Sequence, residues 1–582
     1  MMIEKISAIP NSSTNLKHYR KDVEQNKTVP LKHNNISAKF NNSYVIPFLG
    51  KKDYTENEKA FFNLKRRLAR NVHARTREMQ IAYWNFYLDL TEENRQKTSL
   101  AFNQYMKVIS DPEILTRLND IKKKGIQDAK LKKDFEDLIK DYNDTSLDND
   151  DIIRLQEVQD NIAIKFNNCV TEIEGIPTPQ AQLILLSKNE RNIERRKIIY
   201  NELELKASNL IANDLINLVK MRNTYAQNRG YKDFFSQELK ETFQTNEDEL
   251  FKLLENLTKG TDEVYARLSA NRNKKLADAF QIEPKALMPY HYGFLTDSSP
   301  FIVADKYVKD NNAMMQASLS MYKKMGWDIN ELPILLDILP RENKNQMAFC
   351  FNIDTNKDVR ILANLTNNIE SIKYLNHELG HAAYELGISE HLPYAKREVV
   401  SPAMTEAIAM LMQSLPYRED TFIDDLKMPK ELVKRLNILE CESVIGFIRQ
   451  LLLDINFEKQ LYKNPDQDLP KLWYELEKKY LNRTIPDKLD NRWASVPHFL
   501  SHPAYCQNYL RGEIMASQIY DAAVQKLGLL TKNEKTADFL RKKIFRVGNL
   551  LTEDEIMKKI SGKELNLDAF LNRIKNVGKY IH

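Results

Sequence analysis

Apolar residues recur every three or four positions through most of residues 55 to 175, as in "NEKAFFNLKRRLARNVHARTREMQIAYWNFYLDL", with charges filling the gaps. That spacing places the apolar groups on one stripe of a helix, which must then be covered by another element. A second helical stretch runs from about 187 to 229, ends near Gly230 and restarts through "DFFSQEL". Within the first stretch "DYNDTSLDNDD" (141 to 151) predicts a loop that interrupts it and then caps the next helix. With 15 Gly and 20 Pro among 582 residues, turn signals are too few for a turn-rich β fold. The chain is therefore expected to be mainly α. No repeat of fixed period appears, so a solenoid is not expected.

The exception lies at 346 to 365, "QMAFCFNIDTNKDVRILANL". Two short runs rich in Phe, Ile, Val and Leu flank the polar turn from Asp354 to Asp358, which predicts a β-hairpin. It stands immediately before "SIKYLNHELGHAAYELGI" (371 to 388). There Ile372, Leu375, Leu379, Ala382 and Leu386 form a helical stripe, with Gly387 as the expected stop. His377 and His381, four apart, project from one face and can share a metal ion, and Glu378 beside them can take a proton from water at that metal.

A catalytic zinc needs a third protein ligand. In "REVVSPAMTEAIAMLMQSLP", Ser401 and Pro402 form an N-cap and first-turn pair, and Pro416 is expected to end the helix. Glu406 stands there among Ala, Met and Ile, where a carboxylate is costly to bury unless paired or metal-bound. His377, His381 and Glu406 thus form the candidate metal set, for one Zn2+ per chain. Near the C-terminus "WASVPHFLSHPAYCQNYLRGEIMASQIY" concentrates His498, His502, Tyr505 and Tyr509. Such donors in a partly dry cleft suit stabilisation of an oxyanion.

Taken in order, "NTYAQNRGYKDF", "MAFCFNIDTNKDVRILANL", "NHELGH", "TEAIAM" and "VPHFLSHPAYCQNYLRGE" resemble the angiotensin-converting-enzyme-like peptidases, especially their bacterial relatives, and more distantly the thimet oligopeptidase group. The resemblance covers roughly residues 190 to 525. It implies His377, His381 and Glu406 as zinc ligands and Glu378 as general base. It implies that the strand Met347, Ala348, Phe349, Cys350 pairs with an extended substrate. It maps the family's transition-state histidine and tyrosines to His498, Tyr505 and Tyr509, with His502 competing for the histidine. The fold implied is a two-lobed, mainly α body of the converting-enzyme and neurolysin kind, with a deep channel and a small β-hairpin beside the zinc helix. Residues 1–50 would be a flexible polar extension, 51–185 a helical lid region, 186–530 the catalytic region and 531–582 C-terminal helices.

Two positions depart from the converting-enzyme pattern. Met410 stands where an Asp orients the zinc ligands, so another group must hold the imidazoles. Val496 stands where a Lys grips the substrate's C-terminal carboxylate, which leaves an oligopeptidase at least as expected as a peptidyl-dipeptidase. The function expected is hydrolysis of short unstructured peptides. The alternatives are a catalytically inactive peptide-binding pseudopeptidase and a host-directed metalloprotease effector.

The remaining features exclude more than they indicate. A net charge of +5 without a clustered basic face gives no reason to expect a nucleic-acid partner. No apolar run is long enough for a membrane span, so no membrane partner is expected. Cys169, Cys350, Cys441 and Cys506 are far apart and read as free thiols. The N-terminus lacks an apolar core, so an ordinary secretory signal is not expected and the cytoplasm is the expected compartment.

Overall fold

The structure, a computed structural model, describes residues 54–580 except 179, 295–299, 346, 393–395, 398 and 399. The expected polar extension at 1–50 lies outside the described residues. The described chain is mainly helical, as expected, with two small sheets.

Four helices come first: α1 (Glu56–Leu88), α2 (Glu92–Ile109), α3 (Pro112–Lys124) and α4 (Ala129–Asn167). Phe61, Leu64, Leu118, Phe135 and Tyr142 bury together as a core of their own. The expected loop at 141–151 is absent, because α4 runs straight through it. Its polar residues have weak helix propensity, but Ile139 and Tyr142 on one side and Ile162 on the other are anchored in two separate cores. Tertiary burial overrides propensity there. A ribbon of β1 (Glu172–Ile173) and β2 (Ile176–Pro177) leads to α5 (Ile193–Tyr200), α6 (Lys206–Asn228) and α7 (Glu247–Phe280). The break at Gly230 is present, with φ +84.

The expected hairpin is β4 (Phe349–Asp354) and β5 (Asp358–Leu362), antiparallel. The strand begins at Phe349, so Met347 and Ala348 precede it. A third strand, β3 (Ile334–Asp337), was not read from the sequence and pairs parallel to β5. The order β3-β5-β4 leaves β4 at the sheet edge. Phe349 and Phe351 face α1, where Tyr87 stacks on Phe349 at 5.2 Å and Trp84 meets Phe351 edge-on at 5.5 Å. Asn352 points the other way and donates to Glu385 of the following helix at 2.6 Å.

That helix is α8 (Ile369–Gly387), followed by α9 (Pro402–Arg418), α10 (Lys430–Lys463), α11 (Leu469–Leu481) and α12 (Cys506–Leu527). Ile372, Leu375, Leu379 and Ala382 of the predicted stripe are fully buried. Ser401 caps α9 by accepting from the Met404 N–H, with Pro402 in the first turn. Pro416 does not end α9 but sits inside its last turns, two residues before Arg418. So near the C-terminus a proline forfeits little of the helix ladder, and its burial offsets the loss. Two large cores result. One gathers α8, α9 and the sheet, the other α6, α7, α11 and the middle of α10, and Phe447 and Tyr509 pack against both. Those two side chains mark the seam beside which the site lies.

Candidate metal centre and active site

His377 and His381 project from one face of α8 toward Glu406 on α9. Their Nε2 atoms are 3.2 Å apart, and they lie 3.5 and 3.8 Å from Glu406 Oε2. One donor atom from each of the three residues falls within 4.8 Å of the others. Two helices can bring these groups so close only because small residues line their contact. A Cβ on Gly380 would stand 2.8 Å from the Ala409 Cα, and one on Gly512 of α12 would stand 2.9 Å from the Glu406 Cβ. α9 is thus held tightly between α8 and α12.

The electrostatics fit a bound cation. Glu406 is 3% exposed and its Oε2, the atom facing both imidazoles, is buried without a hydrogen-bond partner. Burial pushes the Glu406 carboxyl up to about 8, against a smaller opposing effect of the Tyr505 hydrogen bond. Burial, with Glu406 nearby, pushes Glu378 up to about 8 as well. His377 is driven well below the imidazole range, first by burial and then by His381, and burial lowers His381 to about 4. Neutral imidazoles are the ligating form, and two carboxyl groups that resist ionisation in a dry site would be relieved by a metal ion between them. The donor set, two nitrogens and one carboxylate oxygen, is that of a catalytic zinc site with one position left open.

The groups around the ligands are also placed by the fold. The Gln413 side-chain oxygen lies 3.1 Å from His377 Nδ1, which makes Nδ1 the protonated nitrogen and leaves Nε2 free. Gln413 sits on α9 seven residues beyond Glu406, so it performs the orienting task that Met410, buried at 2% exposure, cannot. The Tyr505 hydroxyl donates to Glu406 Oε1 at 2.9 Å and fixes the carboxylate whose other oxygen faces the histidines. Tyr505 is aimed by a strained turn. Ala504 adopts φ +58, a left-handed conformation costing an alanine on the order of 1 kcal/mol, and its N–H donates to the buried Glu458 carboxyl at 2.8 Å.

His498 stacks against Tyr505 at 5.9 Å and meets Tyr509 edge-on at 5.5 Å, and the two tyrosine rings are 5.2 Å apart. Burial lowers His498 to about 3, so it is a neutral donor. His502 is exposed and its Nδ1 meets the Ser501 hydroxyl at 2.8 Å. It touches Tyr505 edge-on at 5.9 Å from the outer side. Of the predicted strand residues, Cys350 is half-buried and close enough to Glu378 that the carboxylate adds to the burial that raises its thiol. A cavity of ≈360 Å³ has His498, Tyr509, Val496 and Met347 in its wall.

Two family models match separate parts of the chain. The Peptidase family M3 model matches residues 327–576, and the angiotensin-converting enzyme model matches residues 54–295. The chain is a relative of the angiotensin-converting-enzyme-like and M3 zinc peptidases. Oligopeptidase PepF of Bacillus subtilis (strain 168) is 25% identical over 175 residues, which cover 27% of this chain and 25% of that protein. The chain thus matches about a quarter of the length of that curated relative. No described helix is long and apolar enough to cross a membrane. Cys169, Cys350, Cys441 and Cys506 are all unpaired.

Gln413, Glu458 and the two contact glycines were not singled out from the sequence. Gln413 had a usable signal, being one of few polar residues on the apolar helix that carries Glu406. Glu458 had none, since its partner is a backbone N–H 46 residues away.

Proposed function

We propose that this protein is a zinc-dependent oligopeptidase that hydrolyses short unstructured peptides. The observation that carries the reading is the orphaned, buried Glu406 Oε2 facing the Nε2 atoms of His377 and His381. His377, His381 and Glu406 would hold the zinc. When bound, zinc would supply Lewis-acid assistance to water and to the scissile carbonyl.

The chain's own groups divide the remaining work. Glu378, next to the first ligand and buried, would accept the proton of the attacking water and pass it to the leaving amine. A cation beside it would bring its carboxyl down from about 8, so that it is ionised when the water must be activated. Tyr509 and His498 would donate to the oxyanion that forms as water adds. Tyr505 keeps Glu406 in place. The free edge of β4, from Phe349 and Cys350 onward, would pair with an extended substrate backbone, which a folded protein cannot offer. Ala348 stands at the entry to that edge.

Peptide cleavage mapped by mass spectrometry tests the reading directly. Cleavage of unstructured peptides is expected to stop with a chelator, return with zinc, and fall at least ~10²-fold in Glu378→Gln. Peptide binding without cleavage by the zinc-loaded wild-type protein would support a pseudopeptidase instead.

A further inference from the structure

The cavity that begins at His498 and Tyr509 continues past Val496 into a region of different chemistry. Four arginines, Arg196, Arg272, Arg483 and Arg492, line it against two acids, Glu204 and Asp454. Arg483 and Arg492 share the buried carboxylate of Glu477. Among the described residues Arg196 and Arg272 donate hydrogen bonds only to neutral acceptors. Arg196, 2% exposed, donates to the carbonyls of Ser187, Glu190 and Tyr290. Arg272 reaches the Asn273 side chain, the Tyr265 hydroxyl and the Leu481 carbonyl. Burial lowers Arg196 to about 10, offset only in part by the Glu190 carboxylate.

The same walls carry donors with nothing to bond. Trp473 lines the cavity at 2% exposure, and its indole N–H has no partner. The Tyr200 hydroxyl, also in the wall, is buried and unpartnered. The ring of Tyr292 is flanked by two guanidiniums, Arg272 at 5.1 Å and Arg483 at 4.8 Å. Surplus positive charge together with orphaned donors is satisfied by an anionic acceptor, and a carboxylate suits a guanidinium best.

We propose that this arginine-lined end of the cleft captures a carboxylate of the bound peptide, its C-terminal one above all. The inference rests on the peptidase reading and specifies its substrates. Val496 gives no grip close to the reacting centre, so the carboxylate is held further on, among the arginines that line the same cavity as His498 and Tyr509.

The test uses Glu378→Gln protein loaded with zinc, which binds peptides without turning them over, and three peptides of one sequence. The first has a free C-terminal carboxylate and neutral side chains, the second is amidated, and the third is amidated with Glu as its last residue. Binding is expected to be at least ~10-fold tighter for the free acid than for the amide. That preference is expected to collapse toward one in Arg272→Met and to be partly restored in Arg272→Lys. If the third peptide matches the free acid, the site takes either carboxylate; if it matches the amide, the site reads the terminus alone. Acid and amide binding equally to the unaltered pocket would overturn the proposal, as would a preference that survives Arg272→Met. Because binding is measured, loss of catalysis for any other reason leaves this test intact, whereas failure of the peptidase reading appears as no cleavage by the wild type.

Discussion

The metal centre and the tyrosine-histidine cluster beside it are built in opposite ways. His377, His381 and Glu406 stand on two long regular helices, α8 and α9, capped by Asn368 and Ser401 and packed through Gly380. His498, Tyr505 and Tyr509 lie across an irregular passage with a five-residue helix, a left-handed alanine and the start of α12. In the first region the periodicity of α8 aligns the two histidines, and close packing of α9 brings Glu406 to them. In the second, alignment depends on distant groups such as Glu458 and on rings stacked against one another. The lesson of that difference is that local helix geometry and close packing place the ligand set, whereas contacts between distant parts of the chain place the wall beside it.

The sharpest break would come from the ligands. Glu406→Gln is expected to lose zinc, and with it activity, while Glu378→Gln keeps zinc and loses only turnover; metal analysis of both proteins tests the division. Gly512→Ala comes next. Its methyl would press on the Glu406 Cβ from the α12 side at 2.9 Å, so a loss of roughly 1–3 kcal/mol in stability is expected together with weaker zinc binding. Thermal melts with and without zinc read both effects, and an unchanged melt would show that the helices have room to part.

The wall should respond differently. Tyr509→Phe is expected to keep zinc and stability while kcat falls roughly 10- to 10³-fold with little change in KM. His498→Ala should follow it, whereas His502→Ala, on the exposed side, should change kcat far less. A melt that drops in Tyr509→Phe with kcat unaltered would make the tyrosine a packing residue. The smallest effect belongs to Gln413→Leu, which removes the orienting bond to His377. Zinc affinity is expected to fall about 10- to 100-fold while the saturated enzyme stays active. An unchanged affinity would mean that the imidazole is held by helix packing alone.

How far the sequence could be read follows the same contrast. The ligand helices, the hairpin and the Ser401-Pro402 start were legible because each depends on neighbours within a few residues. The continuous α4 was not, because Asp- and Asn-rich propensity was outweighed by burial of Tyr142 and Ile162 in separate cores. Pro416 misled for a related reason, since its position in the last turns decides its cost. β3 escaped notice because a four-residue strand paired in parallel leaves no turn signal. The substitute for the missing Asp at Met410 became visible only when the fold showed that Gln413 reaches His377.

The central claim is that Glu406 completes a metal site and Glu378 does not. Zinc content measured on wild-type, Glu378→Gln and Glu406→Gln proteins after dialysis against micromolar zinc tests it most directly. The expected result is about one zinc per chain in the first two and essentially none in the third. Wild-type protein that takes up no zinc, or equal zinc in the two variants, would contradict it.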